Sequence, residues 1–122
     1  MSLIAIKLGT SISELDSWGS VSALGSQVLG ETDVQAYGKF THGAPTDAVS
    51  AAYFGASKGK FRLVYPFNEQ ATIVNGEVRI TDESTGEART FKAGDSWFVT
   101  KGTSTVWEVL GDEVVKHYLA FA

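Results

Sequence analysis

The sequence holds few groups able to do chemistry, and their scarcity narrows what that chemistry can be. There is no cysteine, and the only histidines are His42 and His117. A thiolate metal site, a cysteine nucleophile and a disulfide are therefore excluded. A three-histidine metal site cannot be built within one chain. Glu69 can act as a catalytic acid or base or as a ligand to a metal shared with unusual residues; its ordinary alternative is a carboxylate in solvent or paired with a basic side chain. Lys116, in Val114-Val115-Lys116-His117-Tyr118, can pair with Glu69 or hold an anionic substrate, or else sit in solvent. Tyr65, Trp97, Trp107 and Tyr118 can wall a ligand cavity, each with a large apolar body and a polar tip, or pack as plain core. Thr105 joins Trp107 on one face of its strand. His117 titrates near neutrality when unperturbed, yet a lone histidine in an apolar strand usually packs and hydrogen-bonds. His42, Arg62 and Arg79 read as surface residues, although the arginines can bind a carboxylate. Phosphate loops, Ser-His-Asp order and paired-carboxylate spacing are not evident.

These groups must be positioned by strands. Thirteen glycines and many β-branched residues divide the second half into short segments. Strands are expected at 60–65, 70–75, 77–82, 88–92, 96–100, 104–110 and 114–121. Turn signals separate them: Pro66-Phe67-Asn68, Asn75-Gly76, Thr85-Gly86, Ala93-Gly94-Asp95, Lys101-Gly102 and Gly111-Asp112. Short strands at regular spacing argue for an all-β sandwich or barrel. Asn75-Gly76 reads as a two-residue hairpin and the segment around Thr85-Gly86 as a longer one. In the first half, strands are expected at 34–40 and 48–56, joined by the loop His42-Gly43-Ala44-Pro45-Thr46-Asp47. Ser11-Ile12-Ser13-Glu14 reads as a capping box or a short helical turn. Residues 1–30, rich in serine and glycine, are expected to form an N-terminal arm over the barrel or over a partner subunit, with the barrel domain at 31–122.

Two spaced motifs give this pattern a family resemblance. The first is Glu69-x6-Gly76; the second opens at Gly94-Asp95 and ends at Thr100-Lys101-Gly102. In this order and separation they resemble the two motifs of the cupin superfamily. The resemblance implies an all-β double-stranded β-helix, the RmlC-like jelly-roll barrel, with a cavity between its sheets. The tail from Thr105 to Tyr118 is similar to the subgroup of (S)-ureidoglycine aminohydrolase and ethanolamine-utilisation cupins. The resemblance spans about residues 50 to 121 and implies that Glu69 and Thr105 face the interior. Metal-binding cupins carry a His-x-His before the glutamate and a histidine in the second motif. Here Phe61-Arg62-Leu63-Val64-Tyr65-Pro66-Phe67-Asn68 precedes Glu69, and Thr105 stands at the second-motif position. Of four ligand positions only Glu69 remains, and one carboxylate does not hold a transition metal.

The functional expectation is a metal-free or metal-poor cupin domain that binds a small polar molecule in its cavity, with no cofactor. Glu69 is the catalytic candidate, and Tyr65, Trp97, Thr105, Trp107 and Lys116 are the substrate-binding candidates. The alternatives are an enzyme of the ureidoglycine aminohydrolase type that uses Glu69 for proton transfer, and a structural cupin subunit. The net charge of −4 offers no basic face for nucleic acid. No stretch approaches the roughly 20 apolar residues needed to cross a bilayer, and the N-terminus does not read as a secretory signal. A cytoplasmic homodimer is expected.

Overall fold

A computed structural model describes residues 2–122. Its strands are β1 (Asp16–Ser20), β2 (Gln27–Val28), β3 (Gln35–His42), β4 (Val49–Val64), β5 (Asn68–Asp82), β6 (Ala88–Lys92), β7 (Ser96–Val99) and β8 (Ser104–Phe121). All pairings are antiparallel. The hydrogen-bonded order is β1-β3-β4-β8-β5-β6, with β2 on β4 and β7 on β5.

Three long strands build both layers of a jelly roll. The first half of β4 pairs with the second half of β8, and the second half of β4 with the first half of β8. β5 is divided in the same way against β8. One layer is therefore β1, β3, early β4, late β8, early β5 and β7. The other is β2, late β4, early β8, late β5 and β6.

This corrects the expected strand list. Residues 48–56 and 60–65 belong to one strand, as do 70–75 and 77–82, and 104–110 and 114–121. Asn75-Gly76 is not a hairpin, and Gly111-Asp112 does not end a strand. Both sit at bulges, where the register shifts between Ser57 and Gly59, between Ile73 and Asn75, and between Gly76 and Val78. A bulge inserts unpaired residues, bends the strand and increases its twist. It also changes the parity of the inward face. Inward residues of β5 run Glu69, Ala71, Ile73 before the bulge and Val78 after it; those of β8 run Thr105, Trp107, Val109 and then Val114, Lys116, Tyr118, Ala120. Each strand thus keeps its apolar side on the core while passing from one layer to the other. Gly76 permits this because its φ is 81° and a Cβ there would lie 2.1 Å from the Glu113 carbonyl oxygen.

The remaining turns fall where expected. Asp95 accepts a 2.9 Å hydrogen bond from the Lys92 amide and so closes its own turn. The capping box forms on a 3₁₀ turn, Ile12–Glu14, with both reciprocal bonds present. Between residues 1 and 30, β1 adds to β3 and β2 to β4. The Glu113 carboxylate accepts from the Ile12 amide at 2.8 Å and from the Ser11 hydroxyl at 3.3 Å. Ile12 and Leu15 then pack on Tyr53, Val74 and Val115, on the outer side of the first layer. The main core lies between the layers around Trp107, which is fully buried beside Phe61, Ile73, Val78, Val109 and Val114.

Candidate functional site

Glu69 and Lys116 meet between the layers. β5 and β8 are neighbours, with Ile73 opposite Lys116 and Glu69 opposite Ala120, and alternation turns both charged side chains inward. Residue exposure is only 2% for Glu69 and 3% for Lys116. Lys116 Nζ donates to Glu69 Oε2 at 2.5 Å. Strand alternation alone does not fix the direction of Lys116, because the opposite face, with Val115, is more apolar. The N-terminal turn explains that apolarity, since Ile12 and Leu15 cover Val115 from outside.

Aromatic rings enclose the ammonium. Nζ lies 4.9 Å from the Trp107 centroid, 5.0 Å from Tyr118, and 5.4, 5.5 and 5.9 Å from Phe54, Tyr65 and Trp97. Ring faces carry negative electrostatic potential and favour a cation at such distances. Burial nevertheless opposes charge on both partners. It pushes the Glu69 carboxyl up against the lowering influence of Lys116, and it pulls the Lys116 ammonium down against the raising influence of Glu69. Tyr118 is pushed up to about 12, first by burial and then by the Glu69 charge.

Among the described residues, two polar atoms beside the pair are buried without a hydrogen-bond partner: Tyr65 Oη and Trp107 Nε1. Burial, then the Glu69 charge, raises the Tyr65 phenol well above its ordinary value. The nearby Trp107 and Trp97 indoles act in the opposite direction, from outside good hydrogen-bonding geometry. A buried, unpaired hydroxyl costs about 1–3 kcal/mol unless something supplies the missing partner.

A cavity of about 700 Å³ opens beside this cluster on the β1–β2 side. Glu69, Lys116 and Tyr65 line it together with Trp18, Phe40, Phe54, Phe67 and Tyr118. Phe67 and Tyr118 stack with ring planes 8° apart. A second cavity of about 440 Å³ lies on the β6–β7 side, lined by Tyr65, Trp97, Thr105, Phe91, Asp82 and Arg89 among others. Tyr65 borders both.

The sequence candidates are distributed accordingly. Glu69, Lys116 and Tyr65 share the larger cavity, and Thr105 and Trp97 share the smaller one with Tyr65. Trp107 separates them as fully buried core, stacked on Phe61 with centroids 5.6 Å apart. Thr105 does not reach Glu69; its hydroxyl donates to the Leu63 carbonyl at 2.9 Å. His117 points outward, 2.8 Å from the Thr41 hydroxyl, and burial lowers its pKa. His42 is exposed, and Arg62 pairs with Glu83 on the surface. Sequence reasoning missed Phe54, Trp18, Phe40 and Phe67. Phe54 stands opposite Lys116 across the β4–β8 pair, which only the strand pairing reveals, and Trp18 comes from the segment read as an arm.

A profile of the EutQ-like cupin domain matches residues 43–118. The chain belongs to this cupin family. Solved structures of similar fold include a putative ethanolamine utilization protein from Salmonella typhimurium LT2, at 22% identity over 71% of this chain and 69% of that one, with a TM-score of 0.60. The EutQ protein of Clostridium difficile is 15% identical over 78% of this chain and 75% of its own, with a TM-score of 0.63. A DUF861 family protein from Thermotoga maritima is 32% identical over 57% of this chain and 76% of its own, with a TM-score of 0.52. No curated protein matches the sequence. Among the described residues, no helix is long and apolar enough to cross a membrane.

The cupin family raises the question of a metal. Glu69 is the one residue that matches the ligand positions implied by the cupin resemblance; it accepts from the Lys116 ammonium, which five aromatic rings surround. None of these offers the imidazole or carboxylate lone pairs that a transition metal needs, and a metal cation would face Lys116. Among the described residues, no three histidines, cysteines or carboxylates come together. The residues present do not fit a metal.

Proposed function

We propose that this cupin binds a small molecule without a metal, using the Lys116 ammonium as the fixed cation of its cavity. One observation carries the reading: the remaining family carboxylate, Glu69, is paired with a lysine among aromatic rings beside a 700 Å³ cavity. A buried ion pair contributes little net stability compared with apolar residues of the same volume. Its presence is therefore better explained by a ligand than by folding. Tyr65 Oη, unpartnered in the same wall, supplies a further donor. The largely aromatic lining selects a ligand with an apolar body and one polar end, which narrows the small polar molecule expected from sequence.

Denaturing purified protein and examining the supernatant by mass spectrometry tests this. An organic molecule should be released in stoichiometric amount from wild type and be lost or strongly depleted in Tyr65→Phe. Release of equal amounts from both would contradict the assignment of the cavity.

A second reading has its own support. Glu69, Lys116 and Tyr65 place a carboxylate, an amine and a phenol on one cavity, which suits proton transfer as well as binding. We also propose a cytoplasmic homodimer. Leu3, Ile4, Ile6 and Leu8 stand exposed along the N-terminal segment, and Val49, Phe98 and Leu119 on the outer face of the first layer.

A further inference from the structure

We propose that Lys116 is a carbonyl-capturing nucleophile, and that the cavity takes an aldehyde or ketone with an apolar body and holds it as an imine. The inference rests on the binding reading above and deepens it by naming the ligand class. An amine that attacks a carbonyl needs a base for its proton, a donor for the carbonyl oxygen and a dry surrounding. The site holds all three. Lys116 Nζ lies 2.5 Å from the Glu69 carboxylate. Tyr65 lines the same cavity, and its buried Oη has no hydrogen-bond partner among the described residues. Phe54, Tyr65 and Tyr118 line the cavity and also surround the amine. Burial disfavours the ammonium, and the ionisable groups facing it are Glu69, Tyr65 and Tyr118.

The step balances within these residues. Glu69 takes a proton from the Lys116 ammonium. The freed amine pair attacks the carbonyl carbon as the C=O π pair moves to oxygen, which Tyr65 stabilises by hydrogen bonding. A proton passes from nitrogen to that oxygen to give the neutral carbinolamine. Glu69, now a carboxylic acid, protonates the hydroxyl, which leaves as water while the nitrogen lone pair closes the C=N bond. One ammonium and one carbonyl become one protonated imine and one water. The cation stays among the rings, again opposite an ionised Glu69, so the ion pair is preserved in the product.

Benzaldehyde with sodium cyanoborohydride at neutral pH is the probe, read by intact mass and peptide mapping. The expected result is one reduced benzyl adduct, at Lys116, ahead of any exposed lysine. Glu69→Gln should slow the labelling by about 100-fold, the range of general acid–base catalysis. Tyr65→Phe should slow it as well while keeping the adduct at Lys116, which guards against misfolding of the Glu69 variant. Benzyl alcohol, the analogue without a carbonyl, is measured alongside by saturation-transfer NMR with Lys116 accessible or blocked. Adducts confined to surface lysines while benzyl alcohol still enters the cavity would overturn the imine and leave the binding reading standing. Failure of both probes to enter would overturn both.

Discussion

At the scale of residues, the site turns on one buried charge pair. Two ions between the layers cost several kcal/mol of desolvation each, which their attraction and the surrounding rings must offset. Removing one partner leaves the other stranded. Lys116→Met should therefore destabilise the protein by about 3–5 kcal/mol, and the double variant Lys116→Met, Glu69→Leu should recover most of that loss. Urea denaturation measures both. A single variant as stable as wild type, or a double variant no better than the single, would refute the pair as described. Part of this site was legible beforehand: the motif spacing picked out Glu69, and Lys116 was among its candidate partners. The orientation of Lys116 was not legible. Val115 and Leu119 make the other face look like core, and only the cover of Ile12 and Leu15 over Val115 shows why an outward face carries apolar residues. The resemblance turns Thr105 toward the interior, as it does Glu69, but the Thr105 hydroxyl is taken by the Leu63 carbonyl.

At the scale of elements, the fold depends on three strands that bend without breaking. Gly76 is the point where this is most exposed to substitution. With φ at 81° and the Glu113 carbonyl 2.1 Å from a would-be Cβ, Gly76→Ala must strain the backbone and push β8 aside. A loss of about 1–3 kcal/mol is expected from the strained conformation alone, measured as a lower thermal midpoint. Glu113 also anchors the N-terminal turn, so the displacement should loosen residues 11–15 first, with faster amide exchange there than in β3. An unchanged midpoint would show that the bulge tolerates a side chain. Asn75-Gly76 was read as a hairpin for the same reason that it forms a bulge: both need positive φ at glycine. Local sequence cannot distinguish them, because the difference lies in which strand pairs next. In Glu77–Asp82 the chain continues along β8 instead of turning back on itself. The strand-rich character, the turns at Gly86, Gly94 and Gly102, and the capping box were all readable, since each is settled within a few residues.

At the scale of the whole molecule, two surfaces remain to be covered. The N-terminal segment leaves Leu3 fully exposed and Leu8 at 69%, and Phe98 stands 57% exposed on the first layer. Apolar surface of this kind favours burial against a second copy through a two-fold interface. Light scattering at micromolar concentration should give the mass of two chains, and deletion of residues 2–8 should shift it toward one; a monomer in both cases would remove the proposal. The interior carries the larger claim, that Lys116 occupies the role a metal has in other cupins. Native mass spectrometry after exposure to equimolar manganese, nickel or zinc and dialysis tests it most directly. The account predicts the mass of the chain without metal, either bare or carrying an organic molecule that denaturation releases. A stoichiometric metal retained by wild type and lost in Glu69→Gln would contradict it.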